Sequence, residues 1–158
     1  MLESLKELLA EMTGGTKPKD LFADNDYRVA AAALLVHAAT IDGAMSQAER
    51  DKLHAVVKER FALGDAGAAA LIDEGTQAEH DAVDLYHFTS LINRSLDEEG
   101  RARIVEMLWQ IVYADGGVNE FEDNLVWRAA DLLGVSARER IEIRRRVAGE
   151  RADVDEQE

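Results

Sequence analysis

Apolar residues recur every three or four positions along most of the chain, which is the period of an α-helix. The chain has a single proline, Pro18, and few runs of β-branched residues. Two stretches, at about 25–41 and 97–114, are apolar on nearly all sides, and helices of that kind usually lie at the centre of a bundle. The pattern therefore predicts an all-α fold of about seven helices that form one compact bundle.

Breaks in the pattern divide the chain into three parts. Residues 1–20 are predicted to form an amphipathic N-terminal helix, at about 2–12, and a linker that contains the helix-breaking stretch TGGTKPKD. Residues 21–150 form the helical domain, and the acidic tail 151–158 is expected to be disordered. In addition to the two central helices, the domain is predicted to hold helices at about 46–61, 65–74, 80–95, 119–133 and 136–147. The apolar face of the helix at 80–95 is predicted to carry Val83, Tyr86, His87 and Leu91.

The segments ATIDGAMSQAE and VYADGGVNEFE carry the same pattern at a constant offset of 73 residues. Each has Asp-Gly, an apolar residue two positions later, then Ser or Asn, and a Glu seven residues after the Asp. The apolar register agrees on both sides, so that Leu35 corresponds to Leu108 and Val57 to Ala130. The chain therefore contains two similar helix-loop-helix units, which we expect to pack as pseudo-symmetric halves. The sequence leaves open whether the two loops lie together or at opposite ends.

Helix capping explains most of the repeated residues. The glycine of each copy can adopt the left-handed conformation that ends a helix. The Ser or Asn accepts a hydrogen bond from a free backbone amide, and the Glu reaches back to the cap amide. Each such cap stabilises the fold by about 1 kcal/mol. The two predicted capping boxes are Ser46 with Glu49 and Asn119 with Glu122.

Capping does not explain the two aspartates, Asp42 and Asp115. A carboxylate in the last turn faces the negative end of the helix dipole, at a cost of roughly 0.3–1 kcal/mol. A bound cation would reverse the sign of that interaction, and Ca²⁺ and Mg²⁺ prefer carboxylate oxygens. The sequence therefore indicates a candidate metal site whose ligands are Asp42, Glu49, Asp115 and Glu122. The spacing is not that of an EF-hand, and an ordinary metal-free Asp-Gly turn is the alternative.

Composition excludes several classes of function. The absence of cysteine excludes disulfides, thiolate zinc sites and a cysteine nucleophile, and it fits a reducing, cytoplasmic compartment. The net charge of −14 disfavours nucleic acid and favours cations or basic partners. The N-terminal residues are too acidic for a signal peptide, and no apolar run is long enough to span a membrane. No catalytic motif is present, so we expect a protein that is not an enzyme.

Three other features have ordinary structural interpretations. None of the four histidines is spaced four residues from another, and His37 is expected to be a buried polar side chain with a partner. Trp109 and Trp127 are expected in the core. The last helix is basic, and a solvated face is favoured over a docking site for an acidic partner or anionic lipid. Its arginines are Arg138, Arg140, Arg144, Arg145 and Arg146.

The two Asp-Gly segments, together with LLVHAA, EMLWQIVYADG and RAADLLGVS, resemble the tellurite-resistance TerB family. Similar units occur in the N-terminal domain of some DnaJ-type co-chaperones. The resemblance covers about Asn25 to Gly149 and implies an all-helical fold of two pseudo-symmetric halves. It also implies acidic residues at the ends of the central helices that are suspected of binding divalent metal, at positions matched by Asp42, Glu49, Asp115 and Glu122.

The resemblance further implies a stress-response system at the cytoplasmic face of the inner membrane. We therefore expect a non-enzymatic interaction or sensor domain that binds Ca²⁺ or Mg²⁺. The alternative is a metal-free protein-protein interaction scaffold, either co-chaperone-like or part of a membrane-associated complex. Expected partners are a protein, the membrane face as a peripheral contact, or a second copy in a homodimer, but not nucleic acid.

Overall fold

The computed structural model describes residues 26–41, 43–81, 84–115 and 118–157, with only the backbone described for Asp115 and for 151–157. The predicted N-terminal helix and linker, 1–20, lie outside these residues. Within them the chain is all-α and contains no strand. The helices are α1 (Tyr27–Thr40), α2 (Gln47–Arg60), α3 (Asp65–Asp81), α4 (Leu85–Ser95), α5 (Glu98–Val112), a short 3-10 helix (Tyr113–Asp115), α6 (Glu120–Leu132) and α7 (Ala137–Gln157).

Helices α1 and α5 form the centre of the bundle, as the apolar pattern predicts. Helix α1 is capped by Asp26, whose carboxylate accepts from the amide of Arg28 at 2.9 Å. Helix α5 is capped by Asp97, which accepts from the amide of Gly100 at 2.9 Å. The two central helices contact each other, and α2 packs on both. The rest of α1 is covered by α3, α4 and α6, whereas α5 is also covered by α6 and α7.

The two repeated units share one buried register. Six apolar pairs related by the 73-residue offset are buried in both copies, because the same face of each helix meets the core. The pairs are Leu34 with Met107, Leu35 with Leu108, Ala38 with Ile111, Leu53 with Val126, Val56 with Ala129, and Val57 with Ala130. The predicted helix-loop-helix units are therefore α1–α2 and α5–α6.

Helix α3 is longer than the sequence indicates. The prediction ended it at Glu74 and placed His80 in the next helix, but α3 continues to Asp81. Gly75, just past the predicted end, permits close packing against α1. A Cβ at Gly75 would lie 2.6 Å from Cβ of Ala32 and 2.8 Å from its carbonyl carbon. Gly75 is therefore required by helix contact and not by chain reversal.

Helix α4 buries a different face from the one predicted. The sequence favoured a face with Tyr86 and His87, yet both are exposed, and Tyr86 is 66% exposed. Asp84 caps the helix, so its first turn begins at Leu85. The buried stripe then follows the helical period from that residue. It consists of Leu85, Phe88, Thr89 and Ile92.

Helix α7 begins where the sequence predicts and ends later. Gly134 has φ of +73°, and the amide of Val135 donates to the carbonyl of Ala130, which together close α6. Ser136 then accepts from the amide of Glu139 at 3.2 Å. The sequence predicted a helix end near Val147 and a disordered tail at 151–158, but the backbone is helical to Gln157. Four of the seven residues at 151–157, one each of Arg, Ala, Glu and Gln, are strong helix formers.

Candidate functional site

The glutamates of the candidate metal site occupy the same position in both units. Glu49 and Glu122 lie in the first turns of α2 and α6 and are only 4% and 5% exposed. In the first unit, Ser46 N donates to Glu49 Oε1 at 3.0 Å and Glu49 N donates to Ser46 Oγ at 3.1 Å. The first of the two predicted capping boxes is therefore present.

The second capping box matches the first in detail. Asn119 N donates to Glu122 Oε1 at 3.1 Å, and Glu122 N donates to Asn119 Oδ1 at 2.9 Å. A carboxylate oxygen has more than one lone pair, so this hydrogen bond is compatible with cation binding by the same group. The repeat therefore presents two nearly buried carboxylates in equivalent geometry.

The two aspartates of the candidate site are only partly covered by the structure. Asp42 lies outside the described residues, between the end of α1 and Gly43, which has φ of +131° and donates to the carbonyl of Thr40 at 3.1 Å. The positive φ expected of this glycine is thus observed. Asp115 ends the 3-10 helix, and its side chain also lies outside the described part.

One long-range contact relates the second loop to the first unit. The 3-10 helix that ends at Asp115 packs against α2, the helix that carries Glu49 in its first turn. Among the side chains that the structure describes, no group of three or more His, Asp or Glu could hold a metal ion. Because the carboxylates of Asp42 and Asp115 lie outside the described side chains, the four-residue site stays a prediction.

Arginine 144 of α7 is a central residue of the second unit that the sequence did not single out for this role. Its Nη1 donates to Asp123 Oδ1 at 2.7 Å and its Nε donates to the hydroxyl of Tyr113 at 2.9 Å. Its guanidinium carbon lies 5.0 Å from the centroid of the buried Trp109 ring, in cation–π range. The sequence predicted a solvated arginine face on α7 and held no signal for partners more than 20 residues away.

Other α7 arginines also bond within the protein. Arg146 donates to Glu106 Oε2 at 2.9 Å, and Arg60 of α2 pairs with the other oxygen of that carboxylate. Burial alone would raise the pKa of Glu106, but these two guanidinium groups outweigh it and hold the pKa below the ordinary 4.5. Glu106 therefore connects α2, α5 and α7 in its charged form.

The two tryptophans differ, against the prediction that both belong to the core. Trp109 is 1% exposed, whereas Trp127 is 51% exposed. Arg140 lies over the Trp127 ring at 5.5 Å. Trp127 lies on the solvent side of α6. Part of its ring is covered by the guanidinium group of Arg140 and not by the core.

An open groove lies by the end of α1 and the start of α6. Its volume is about 420 Å³, and α1, α3, α4 and α6 line it. His37 was predicted to be buried but is half-exposed in this groove, where its Nδ1 lies 3.1 Å from Glu79 Oε1. Phe121, 65% exposed and adjacent to Glu122, forms part of the wall. The groove offers apolar surface and groups of both charges.

Comparison with known proteins identifies the family. The family model described as tellurite resistance protein TerB matches residues 28–145, which span α1 to α6 and the start of α7. No curated protein and no solved structure showed a significant match to the chain. Within the described residues, every helix is too short or too polar to cross a bilayer. Since the matched region covers well over half of the 158 residues, the chain belongs to the TerB family.

Proposed function

We propose that this TerB-family protein is a non-enzymatic sensor or interaction domain that binds a divalent cation, Ca²⁺ or Mg²⁺. The ligands are Asp42, Glu49, Asp115 and Glu122. The domain acts in the cytoplasm in a stress response, with a protein partner. The cation ties the ends of the two central helices to the starts of α2 and α6 and orders both loops.

One observation carries this proposal. Glu49 and Glu122 are both nearly buried at the same position of the repeat. An ionised carboxylate is costly to bury unless a charge or hydrogen bonds compensate it. Each receives a cap amide, and a cation would add a favourable opposite charge. The same cation would offset the unfavourable dipole term of Asp42 and Asp115.

The chemistry of the donor set fits a hard cation. All four proposed ligands are carboxylates, which suit Ca²⁺ and Mg²⁺ better than soft transition metals. The contact between α2 and the 3-10 helix supports a site shared by both units, because it joins the element with Glu49 to the element that ends at Asp115. The charge of −14 would also raise the local concentration of cations.

Calorimetric titration with Ca²⁺ and Mg²⁺ tests the proposal. The wild type should bind at least one ion, and the double variant Asp42→Asn/Asp115→Asn should lose most of the binding. The matched control is Asp73→Asn/Asp131→Asn, which removes the same charge at exposed positions of α3 and α6 and should bind like the wild type. Absence of binding by the wild type would refute the cation proposal, and undiminished binding by the first double variant would mean that the ligands are wrong.

A metal-free scaffold is the second candidate, and the exposed aromatic residues favour it. Phe121 beside the groove and Tyr86 at the start of α4 are each about two-thirds exposed. Exposed aromatic side chains next to a concave surface are typical of protein-binding sites. In this case the domain would serve as a co-chaperone-like module or as part of a complex at the inner-membrane face, or would pair with a second copy. Binding of a partner that is insensitive to a chelator would favour it.

A further inference from the structure

Arg144 joins the two arms of the second acidic loop. Tyr113, which receives its Nε hydrogen bond, opens the 3-10 helix that ends two residues later at Asp115. Asp123, which receives its Nη1 hydrogen bond, directly follows Glu122. One guanidinium group on α7 therefore holds a residue on each side of the loop, next to the two proposed ligands.

The first unit has different residues at these positions. Thr40 corresponds to Tyr113, and its hydroxyl donates to the carbonyl of Val36 within its own helix at 2.8 Å. Arg50 corresponds to Asp123 and is exposed. The helix equivalent to α7 is α3, which packs on α1 and α2, but the buried Leu71 stands there at the position of Arg144. We call the two hydrogen bonds of Arg144 to Tyr113 and Asp123 the clamp. Among the described residues, the first loop has no equivalent of it.

Helix α7 is held on the bundle by charged contacts as well as by apolar ones. Its buried apolar side chains in the described part are Ile143 and Val147. Three arginines add contacts with the bundle. Arg140 lies over the Trp127 ring, Arg144 bonds to Tyr113 and Asp123, and Arg146 bonds to Glu106. A small shift of Tyr113 or Asp123 would break a charge-assisted hydrogen bond that depends on the planar guanidinium geometry.

We propose that Arg144 couples the second loop to helix α7, so that cation binding at the loop tightens the packing of α7 on the bundle. This inference rests on the proposed function. When Asp115 and Glu122 hold an ion, the backbone on both sides of them is fixed, and Tyr113 and Asp123 are held in place for Arg144. Coupling between two sites is reciprocal, so docked α7 must also raise the affinity of the loop for the ion. Arg144 acts as a positioning residue and does not contact the ion.

Hydrogen exchange followed by mass spectrometry tests the clamp without any cation. Arg144→Gln should speed exchange both in residues 113–123 and in residues 137–150, because each segment loses its fixed partner. The matched control is Arg138→Gln, which removes the same charge from an exposed pair with Glu142 in the same helix. Hydrogen exchange in residues 113–123 should be the same in this control as in the wild type. If Arg144→Gln also leaves 113–123 unchanged, Arg144 does not couple the two segments and the proposal is overturned.

The second arm adds saturating Ca²⁺ or Mg²⁺. Exchange in 137–150 should slow in the wild type and in Arg138→Gln, but not in Arg144→Gln. Calorimetry should show the affinity of Arg144→Gln reduced about fivefold or more, the lower end of typical coupling. If the ion binds and exchange in α7 does not change, the inference fails while the proposed function stands. If no ion binds, the proposed function fails and the cation coupling fails with it.

A conservative variant separates coupling from a loss of folding. Arg144→Lys keeps one positive charge beside Asp123 but lacks the fork that reaches Tyr113 as well. It should keep the circular dichroism spectrum of the wild type and show intermediate exchange in 113–123. Exchange equal to that of the wild type would show that charge alone suffices, and the two-armed clamp would be wrong.

Discussion

The two halves of the repeat share their caps and buried register but differ in their surroundings. In the first unit, α1 presents a wall of buried alanines against which Gly75 of α3 packs closely. In the second, α5 carries Glu106 where α1 has Ala33, and Glu106 bonds to arginines from α2 and α7. The duplicated sequence thus specifies helix ends and core positions, and the residues that differ decide what covers each central helix.

The difference matters for function because, among the described residues, only the second loop has both of its sides bonded to one side chain of another helix. The first loop belongs to the unit that is held mainly by apolar packing. The second loop lies between residues that Arg144 holds, and it can transmit a change to α7. Binding of the proposed cation would therefore have unequal consequences for the two loops.

The largest expected effect concerns the two tryptophans of the second half. Trp109→Ala should destabilise the protein by about 3–5 kcal/mol, because it empties a fully buried site and removes the ring under Arg144. The control Trp127→Ala removes a half-exposed ring and should cost less than about 1 kcal/mol. Urea unfolding of both variants measures the difference. Equal losses would mean that Trp127 is part of the core after all.

The close contact between α1 and α3 can be tested at Gly75. Gly75→Ala should cost about 1–3 kcal/mol, since the new methyl group overlaps Ala32 atoms on a rigid helix. The control Gly67→Ala lies in the same helix, where the added Cβ would be 3.4 Å from Leu63. It should stabilise the protein by roughly 0.5–1 kcal/mol through helix propensity. Thermal unfolding that moves both variants in the same direction would contradict the contact.

The ionic junction of the second half predicts a dependence on pH. Glu106→Gln should cost roughly 1–2 kcal/mol at pH 7, between the values for exposed and fully buried pairs. The folded-state pKa of Glu106 is lowered, so its contribution is fully present above pH 4.5 and is lost as pH falls through the folded pKa. The stability difference between wild type and Glu106→Gln should therefore shrink below about pH 4.5. A difference that grows in acid would refute the assignment.

The smallest effect should be the most symmetric. Ser46→Ala and Asn119→Ala each remove the side-chain half of an equivalent capping box. Each should lower the free energy of unfolding by about 1 kcal/mol. Denaturant titration of the two variants in parallel measures whether the caps are equal. A loss in only one of them would show that the repeat is not energetically duplicated.

Features set by neighbouring residues were predictable from the sequence, and features set by distant contacts were not. Caps such as Ser46 with Glu49 depend on residues three apart, and the buried register follows the helical period. The length of α3 was predicted wrongly, and the close contact that explains Gly75 is with Ala32, more than 40 residues away in the sequence. The roles of His37, Trp127 and Arg144 depend on side chains many residues away, which periodicity does not reveal.

Paramagnetic NMR with Mn²⁺ tests the cation site most directly. Mn²⁺ accepts the same carboxylate ligands as Mg²⁺ and broadens amide signals near its binding site. If the proposed cation site is correct, signals of residues 42–49 and 115–122 should broaden first in the ¹⁵N-labelled protein. The double variant Asp42→Asn/Asp115→Asn should abolish this broadening. Broadening elsewhere on this acidic surface with both loops unaffected, or no selective broadening at all, would contradict it.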